Sequence, residues 1–177
     1  MKSIAVFCGA SVPGEPRFAE AARRLGAAVA EAGCRLVYGG SNLGMMGMVS
    51  AAALARGGEV AAVIPTLFSE DIINSQPVSE LIRVGSMAER KTRIMQMCDA
   101  FVALPGGIGT LDEVSEVMVA NQLHQMDKPV VLLDIEGFYA PFLAQLELMR
   151  RCGLLRSECR LQAVATVEEC MAIVTGE

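Results

Sequence analysis

The chain has a single histidine, His124, and no C-x-x-C pair among its six cysteines. A zinc site built from histidine and cysteine would need an unusual ligand set, so neither a metal nor a cofactor is expected. No uncharged apolar window approaches the roughly 18 residues of a membrane-spanning helix, and no Arg/Lys-flanked apolar stretch ends in a cleavage site. Membrane insertion and secretion are therefore not expected, and a cytoplasmic protein is. Positive charge gathers only in Arg83–Arg93 and Arg150–Arg160, against a formal net charge of −5, which argues against a general nucleic-acid binder. Cys8, Cys34, Cys98, Cys152, Cys159 and Cys170 include several that end or flank apolar runs, as buried thiols do in a reducing compartment. Internal repeats and dividing linkers are absent too.

What the chain does have is apolar character: 53% of its 177 residues are hydrophobic, with 17 Gly and 11 Met. That supports one domain, residues 1–177, with a sizeable core. Strand-like runs at Ser3–Phe7, Arg35–Tyr38, Glu59–Ile64, Leu81–Val84, Ala100–Leu104, Val130–Leu133 and Leu161–Ala165 alternate with helical segments. The helices are expected over Pro16–Ala32, about Met45–Arg56, Ser86–Met97, Leu111–Gln125, from near Tyr139, and over Val167–Val174. Pro65 is expected to close the third strand, and residues 66–79 to form a mobile or ligand-covering loop. Continuous apolar strands separated by helices predict an α/β fold, a Rossmann-like three-layer sandwich whose mostly parallel sheet is covered on both faces. Ligands of such sheets bind beyond the carboxyl ends of the strands.

Three turns fall at that edge. The first is Phe7-Cys8-Gly9-Ala10-Ser11. The second, Gly39-Gly40-x-x-x-Gly44-x-x-Gly47, has neither the spacing of a dinucleotide fingerprint nor the lysine of a P-loop. It reads either as a tight turn with close helix–sheet packing or as a nucleotide contact, with Ser41 and Asn42 supplying polar groups. The third is Pro105-Gly106-Gly107-Ile108-Gly109-Thr110, with Glu113 following. Its glycines let a ligand approach the backbone, amides at the helix start face an anion, and Thr110 adds a hydroxyl and a helix cap. Glu113 and Glu116 lie on one helical face, Glu113 as the candidate catalytic carboxylate and Glu116 as an orienting group. Asp112 reads as solvated or as a complement to the helix dipole. Glu89-Arg90-Lys91-Thr92-Arg93 supplies the only concentrated positive charge near this cradle, Arg90 as a fork and Lys91 as a point charge. A carboxylate, a guanidinium and phosphate-binding amides suit cleavage of an N-glycosidic bond, because the sugar becomes oxocarbenium-like as the base departs. Nucleotide binding without turnover would use much of the same equipment.

Met87-Ala88-Glu89-Arg90-Lys91-x-x-x-Met95, combined with Pro105-Gly106-Gly107-x-Gly109-Thr110-x-x-Glu113, resembles the "Lonely guy" (LOG) family of cytokinin riboside 5′-monophosphate phosphoribohydrolases, often mislabelled lysine decarboxylases. Gly39-Gly40-Ser41, Gly44-Met45-Met46-Gly47 and Asp127-Lys128-Pro129-Val130 extend the resemblance over roughly residues 3–150. It implies a Rossmann-like homodimer that hydrolyses N6-substituted AMP, and often AMP itself, to free base and ribose 5-phosphate. Arg90 and Glu113 match the family's catalytic pair, and Lys91 with Gly107–Thr110 matches its nucleotide contacts. The full expected substrate-binding set is Gly9, Ser11, Gly40, Ser41, Met87, Arg90, Lys91, Gly106, Gly107, Ile108, Gly109, Thr110, Leu111, Asp112 and Glu113. Two departures bear on the choice of base: Ala88 stands where the family commonly has His, and Val119-Ala120 where it commonly has Thr-Trp. A decarboxylase using pyridoxal phosphate would have only Lys91 as a nearby Schiff-base candidate.

Overall fold

The computed structural model describes residues 1–68, 78–155 and 159–176. Seven strands occur among them: β1 Ser3–Phe7, β2 Arg35–Tyr38, β3 Val60–Pro65, β4 Glu80–Val84, β5 Ala100–Ala103, β6 Val130–Leu133 and β7 Leu161–Val164. They alternate with helices α1 Pro16–Glu31, α2 Gly44–Ala55, α3 Met87–Met97, α4 Ile108–Gln122, α5 Ala140–Arg151 and α6 Val167–Thr175, plus a 3-10 turn at Ile135–Gly137. No helix among the described residues is long and apolar enough to cross a membrane.

All strand pairs are parallel, in the order β4-β3-β2-β1-β5-β6-β7. Every residue of β3, β5 and β6 is buried, which is why these strands read as unbroken apolar runs rather than as alternating ones. Side chains nonetheless alternate between two cores. Ile4, Val6, Leu36 and Tyr38 pack with Leu25, Val49 and Val174 on one face. Ala5, Phe7 and Val37 pack with Ile94, Val114 and Leu146 on the other. The chain winds outward from β1 to β4, then returns beside β1 as β5 and winds the other way. The loops leaving β1 and β5 therefore diverge and open a crevice at their carboxyl ends, the expected ligand position in this topology.

Most boundaries fall within a residue or two of expectation, and the exceptions have local causes. α4 begins at Ile108, not Leu111, because extended Gly107 serves as its N-cap and Gly109 is accommodated in the first turn. Thr110 is consequently the third helical residue rather than the cap. At the other end His124 adopts φ 55°, and the amides of His124 and Gln125 donate back to the carbonyls of Asn121 and Ala120. That closing motif stops α4 at Gln122. Pro65 lies inside β3 opposite Val84, and the Thr66 amide still donates to the Val84 carbonyl. Ser86 caps α3 rather than beginning it: its hydroxyl accepts from the Glu89 amide while the Glu89 carboxylate accepts from the Gly85 amide. Most of the loop expected at 66–79 (residues 69–77) lies outside the described residues.

Gly26, in the middle of α1, touches α2 directly. A Cβ there would overlap the Val49 carbonyl oxygen, so glycine sets the spacing of the two helices. Gly26→Ala gains roughly 0.8–1 kcal/mol of helix propensity. Overpacking against a backbone carbonyl typically costs about 1–3 kcal/mol. A net loss of stability is expected, read as a lower denaturant midpoint; an unchanged or higher midpoint would show that the helices separate freely.

Candidate active site

The crevice between β1 and β5 is a cavity of about 550 Å³. Its floor is the end of β1 and the turn beyond it, Cys8 to Ser11; one wall is Pro105 to Gly107 with the first turn of α4. Met45 and Met46 of α2 and Met87 and Arg90 of α3 also line it. Pro13, Gly14, Glu15, Phe18 and Phe138 complete the lining.

Three segments converge on Gly106. A Cβ at that position would overlap the Thr110 hydroxyl and lie 3.1 Å from the Gly9 amide, so glycine allows the β1 turn, the β5 turn and α4 to meet. Gly107 and Gly109 differ: their Cβ positions face open space, so packing within the chain does not require glycine there. Bare backbone at a helix N-terminus, open toward a cavity, is an anion-binding geometry.

Arg90 and Glu113 meet at the cavity wall. The Arg90 Nη2 donates to Glu113 Oε1 at 3.1 Å, and the residues are 6% and 8% exposed. Nη1 lies 3.7 Å from the Met87 sulfur, and Nε is buried without a hydrogen-bond partner among the described residues. The guanidinium rests over Gly39, where any Cβ would overlap it. Burial pushes the Glu113 carboxyl up to about 7, opposed by the Arg90 charge. The Cys8 thiol is pushed well above its ordinary range, mainly by burial and then by Glu113.

The expected site residues divide into two groups. Gly9, Ser11, Met87, Arg90, Gly106, Gly107, Gly109, Thr110, Asp112 and Glu113 line the cavity. Gly40, Ser41, Lys91, Ile108 and Leu111 do not. Gly40 has φ 83° and packs under Ile64, while the Ser41 hydroxyl accepts from the Leu43 amide within its own turn. Lys91 is engaged by two carboxylates, Asp112 at 2.9 Å and Glu116 at 2.6 Å. Asp112 is thus an ion-pair partner that also remains exposed to solvent. His124, just beyond α4, is exposed and outside the cavity. Of the two departures from the family pattern, Ala88 and Val119 are on exposed helix faces and Ala120 is buried, all outside the cavity.

Sequence reasoning did not find the aromatic wall. Phe18 and Phe138 pack edge to face with centroids 5.5 Å apart, and Phe138 packs likewise on Tyr139 at 5.0 Å. The Tyr139 hydroxyl donates to the Leu104 carbonyl at 2.6 Å, anchoring this wall to the end of β5. An Arg17–Glu136 ion pair ties α1 to the 3-10 turn beside it. The phenylalanines are 120 positions apart, and no local pattern connects them. Of the six cysteines, none is in a disulfide; five are buried and Cys152 is exposed. Among the described residues no group of three or more His, Cys, Asp or Glu is placed to hold a metal.

The raised Glu113 pKa ties stability to pH. Its folded value of about 7 lies above the ordinary 4.5, so the native state holds an extra proton between those limits. The group's contribution is full below the lower value, falls as pH rises, and is gone above the upper one. The amide introduced by Glu113→Gln does not titrate. The melting-temperature advantage of wild type over Glu113→Gln is therefore expected to shrink by several degrees between about pH 5 and about pH 8. A pH-independent difference would mean that Glu113 titrates normally.

Comparison with known proteins shows the family. A family model described as "Possible lysine decarboxylase" matches residues 46–175. A probable cytokinin riboside 5′-monophosphate phosphoribohydrolase of Oryza sativa subsp. japonica, LOGL1, is 39% identical over 157 residues, covering 89% of this chain and 70% of the relative. The cytokinin riboside 5′-monophosphate phosphoribohydrolase LOG1 of Arabidopsis thaliana is 41% identical over 143 residues, covering 81% and 67%. The chain thus spans about two thirds of the length of these relatives. Among solved structures, the molybdenum cofactor carrier protein of Chlamydomonas reinhardtii superposes with a TM-score of 0.75 at 26% identity, covering 99% of this chain and 96% of that one. With the matching family model, these sequence identities and the two motifs facing one cavity, the chain belongs to the LOG family.

Proposed function

We propose that this protein, as one nucleotide-binding domain, hydrolyses the N-glycosidic bond of adenosine 5′-monophosphates, N6-substituted or plain, to free base and ribose 5-phosphate. The observation that carries this reading is the buried Arg90–Glu113 pair, facing a cavity that also receives a glycine-rich helix N-terminus. The cavity volume falls within the roughly 300–1,000 Å³ of small-molecule sites. The 5′-phosphate fits the amides of Gly107 and Gly109 with the Thr110 hydroxyl. Binding energy there, remote from the reacting bond, orients the sugar. The remaining, mostly apolar space, bounded by Phe18, Phe138, Met45 and Met46, suits a purine.

In the reaction the base leaves with the electron pair of its bond to C1′ and gains a proton, while a water oxygen joins C1′ and releases one, so that one water is consumed overall. The Glu113 carboxylate stabilises positive charge on the sugar and positions that water. Arg90 holds the carboxylate in place. Because the ionised form acts, kcat/KM is expected to rise with pH through about 7.

The family relatives support this reaction by their names. The alternative is a nucleotide-binding carrier without turnover, for which the fold likeness to the Chlamydomonas reinhardtii carrier speaks. Incubation with AMP and N6-isopentenyl-AMP, with free base followed by chromatography, separates the two. Base release, reduced about 100-fold or more in Glu113→Gln and Arg90→Ala, is expected. Binding without release from any nucleoside monophosphate would favour the carrier.

A homodimer through α4 completes the proposal, in a cytoplasmic setting that suits thiols outside disulfides. Ile108 and Val119 on α4 and Leu123 just beyond it are exposed apolar residues, 82, 50 and 61% accessible, on a helix whose other side is already buried in the core. Light scattering is expected to give twice the chain mass for wild type and a monomer for Val119→Asp. A wild-type monomer would contradict the dimer.

A further inference from the structure

We propose that Lys91 is a positioning residue: its ammonium, held between Asp112 and Glu116, fastens α3 to α4 and so fixes Arg90 against Glu113. The inference rests on the reading of Arg90 and Glu113 as the reacting pair. Each member of the clamp lies beside, or one turn from, a member of that pair. Lys91 follows Arg90 on α3, while Asp112 precedes Glu113 on α4 and Glu116 lies one turn beyond it. The Lys91 side chain is 19% exposed, with separations of 2.9 Å to Asp112 and 2.6 Å to Glu116. Lys91, Glu113 and Glu116 also border one small crevice behind the cavity wall, with Phe7, Met95 and Val117.

This geometry favours the clamp over a role for Lys91 as a phosphate contact. The residue does not line the cavity, and its ammonium is already engaged by two carboxylates. The charges around Glu113 also give Lys91 a second task. Arg90 and Lys91 face it from α3, Asp112 and Glu116 from α4, and the Cys8 thiol from the end of β1. Asp112 and Glu116 push the Glu113 carboxyl up, and Lys91 pulls it down. Without Lys91 the two flanking carboxylates are uncompensated, and Glu113 keeps its proton to higher pH.

Carbon-13 NMR of glutamate-labelled full-length protein reads this directly, with the Glu113 carboxyl identified by its loss in Glu113→Gln. The wild-type resonance is expected to titrate near 7. In Lys91→Met its midpoint is expected to rise by about half a unit or more. Lys91→Gln is the second variant should methionine prevent folding, and the same rise is expected of it. In Lys91→Arg the midpoint is expected to stay near wild type, and in Lys91→Met/Glu116→Gln to return part of the way. AMP affinity by calorimetry is expected to change less than about threefold in Lys91→Met, well below the cost typical of losing a charged hydrogen bond. An unmoved midpoint would overturn the proposal, and an affinity loss of about tenfold with it would restore the phosphate contact. The titration needs no turnover, so absence of hydrolysis by wild type would sink the proposed reaction and leave this result legible.

Discussion

A buried ion pair is costly, and the Arg90–Glu113 pair is the constraint around which this site is built. Removing both charges from water costs several kcal/mol per ion, and their attraction offsets this only when surrounding groups hold the geometry. Here the support comes from four directions. The Ser86–Glu89 cap fixes the start of α3, and Gly39 leaves room for the guanidinium. Gly107 starts α4 early enough to bring Glu113 to the wall, and the apolar cores hold both helices against the sheet. The residual cost appears in the Glu113 carboxyl, which its arginine partner does not return to the ordinary range.

The topology gives that pair its place. Reversal of winding between β1 and β5 opens the crevice, and the turns after those two strands lead directly into it. Gly106 lets the two turns touch, so the α4 N-terminus and the β1 turn share one wall. Tyr139, bonded to the Leu104 carbonyl, anchors the aromatic side to the end of β5. The glycine-rich helix start and the aromatic wall therefore border one crevice.

The strands are legible in the sequence because burial on both faces leaves unbroken apolar runs, as in Val60–Pro65 and Val130–Leu133. The meeting of Arg90 and Glu113 at the cavity is legible because each sits in a compact local motif beside a strand end. Other features are hidden for physical reasons. Ile108-Gly109 reads as loop, yet a glycine in the first helical turn is tolerated, so the pattern sets the start of α4 too late. The second glycine turn is ambiguous in sequence. Gly40 and Ser41 prove to shape the turn itself, whereas Gly39 serves Arg90 from 51 positions away. Lys91 reads as available charge, because its engagement depends on how α3 and α4 pack, which no local pattern encodes. The same is true of Phe18 and Phe138.

The central claim is that Arg90 and Glu113 act as one unit. A double-mutant cycle on single-turnover base release from AMP, using Arg90→Lys, Glu113→Gln and the double variant, measures this most directly. Residues acting as a unit are strongly non-additive. The account predicts that the double variant is no slower, within about threefold, than the slower single variant. Losses that multiply, each variant contributing its full factor to the double, would contradict it.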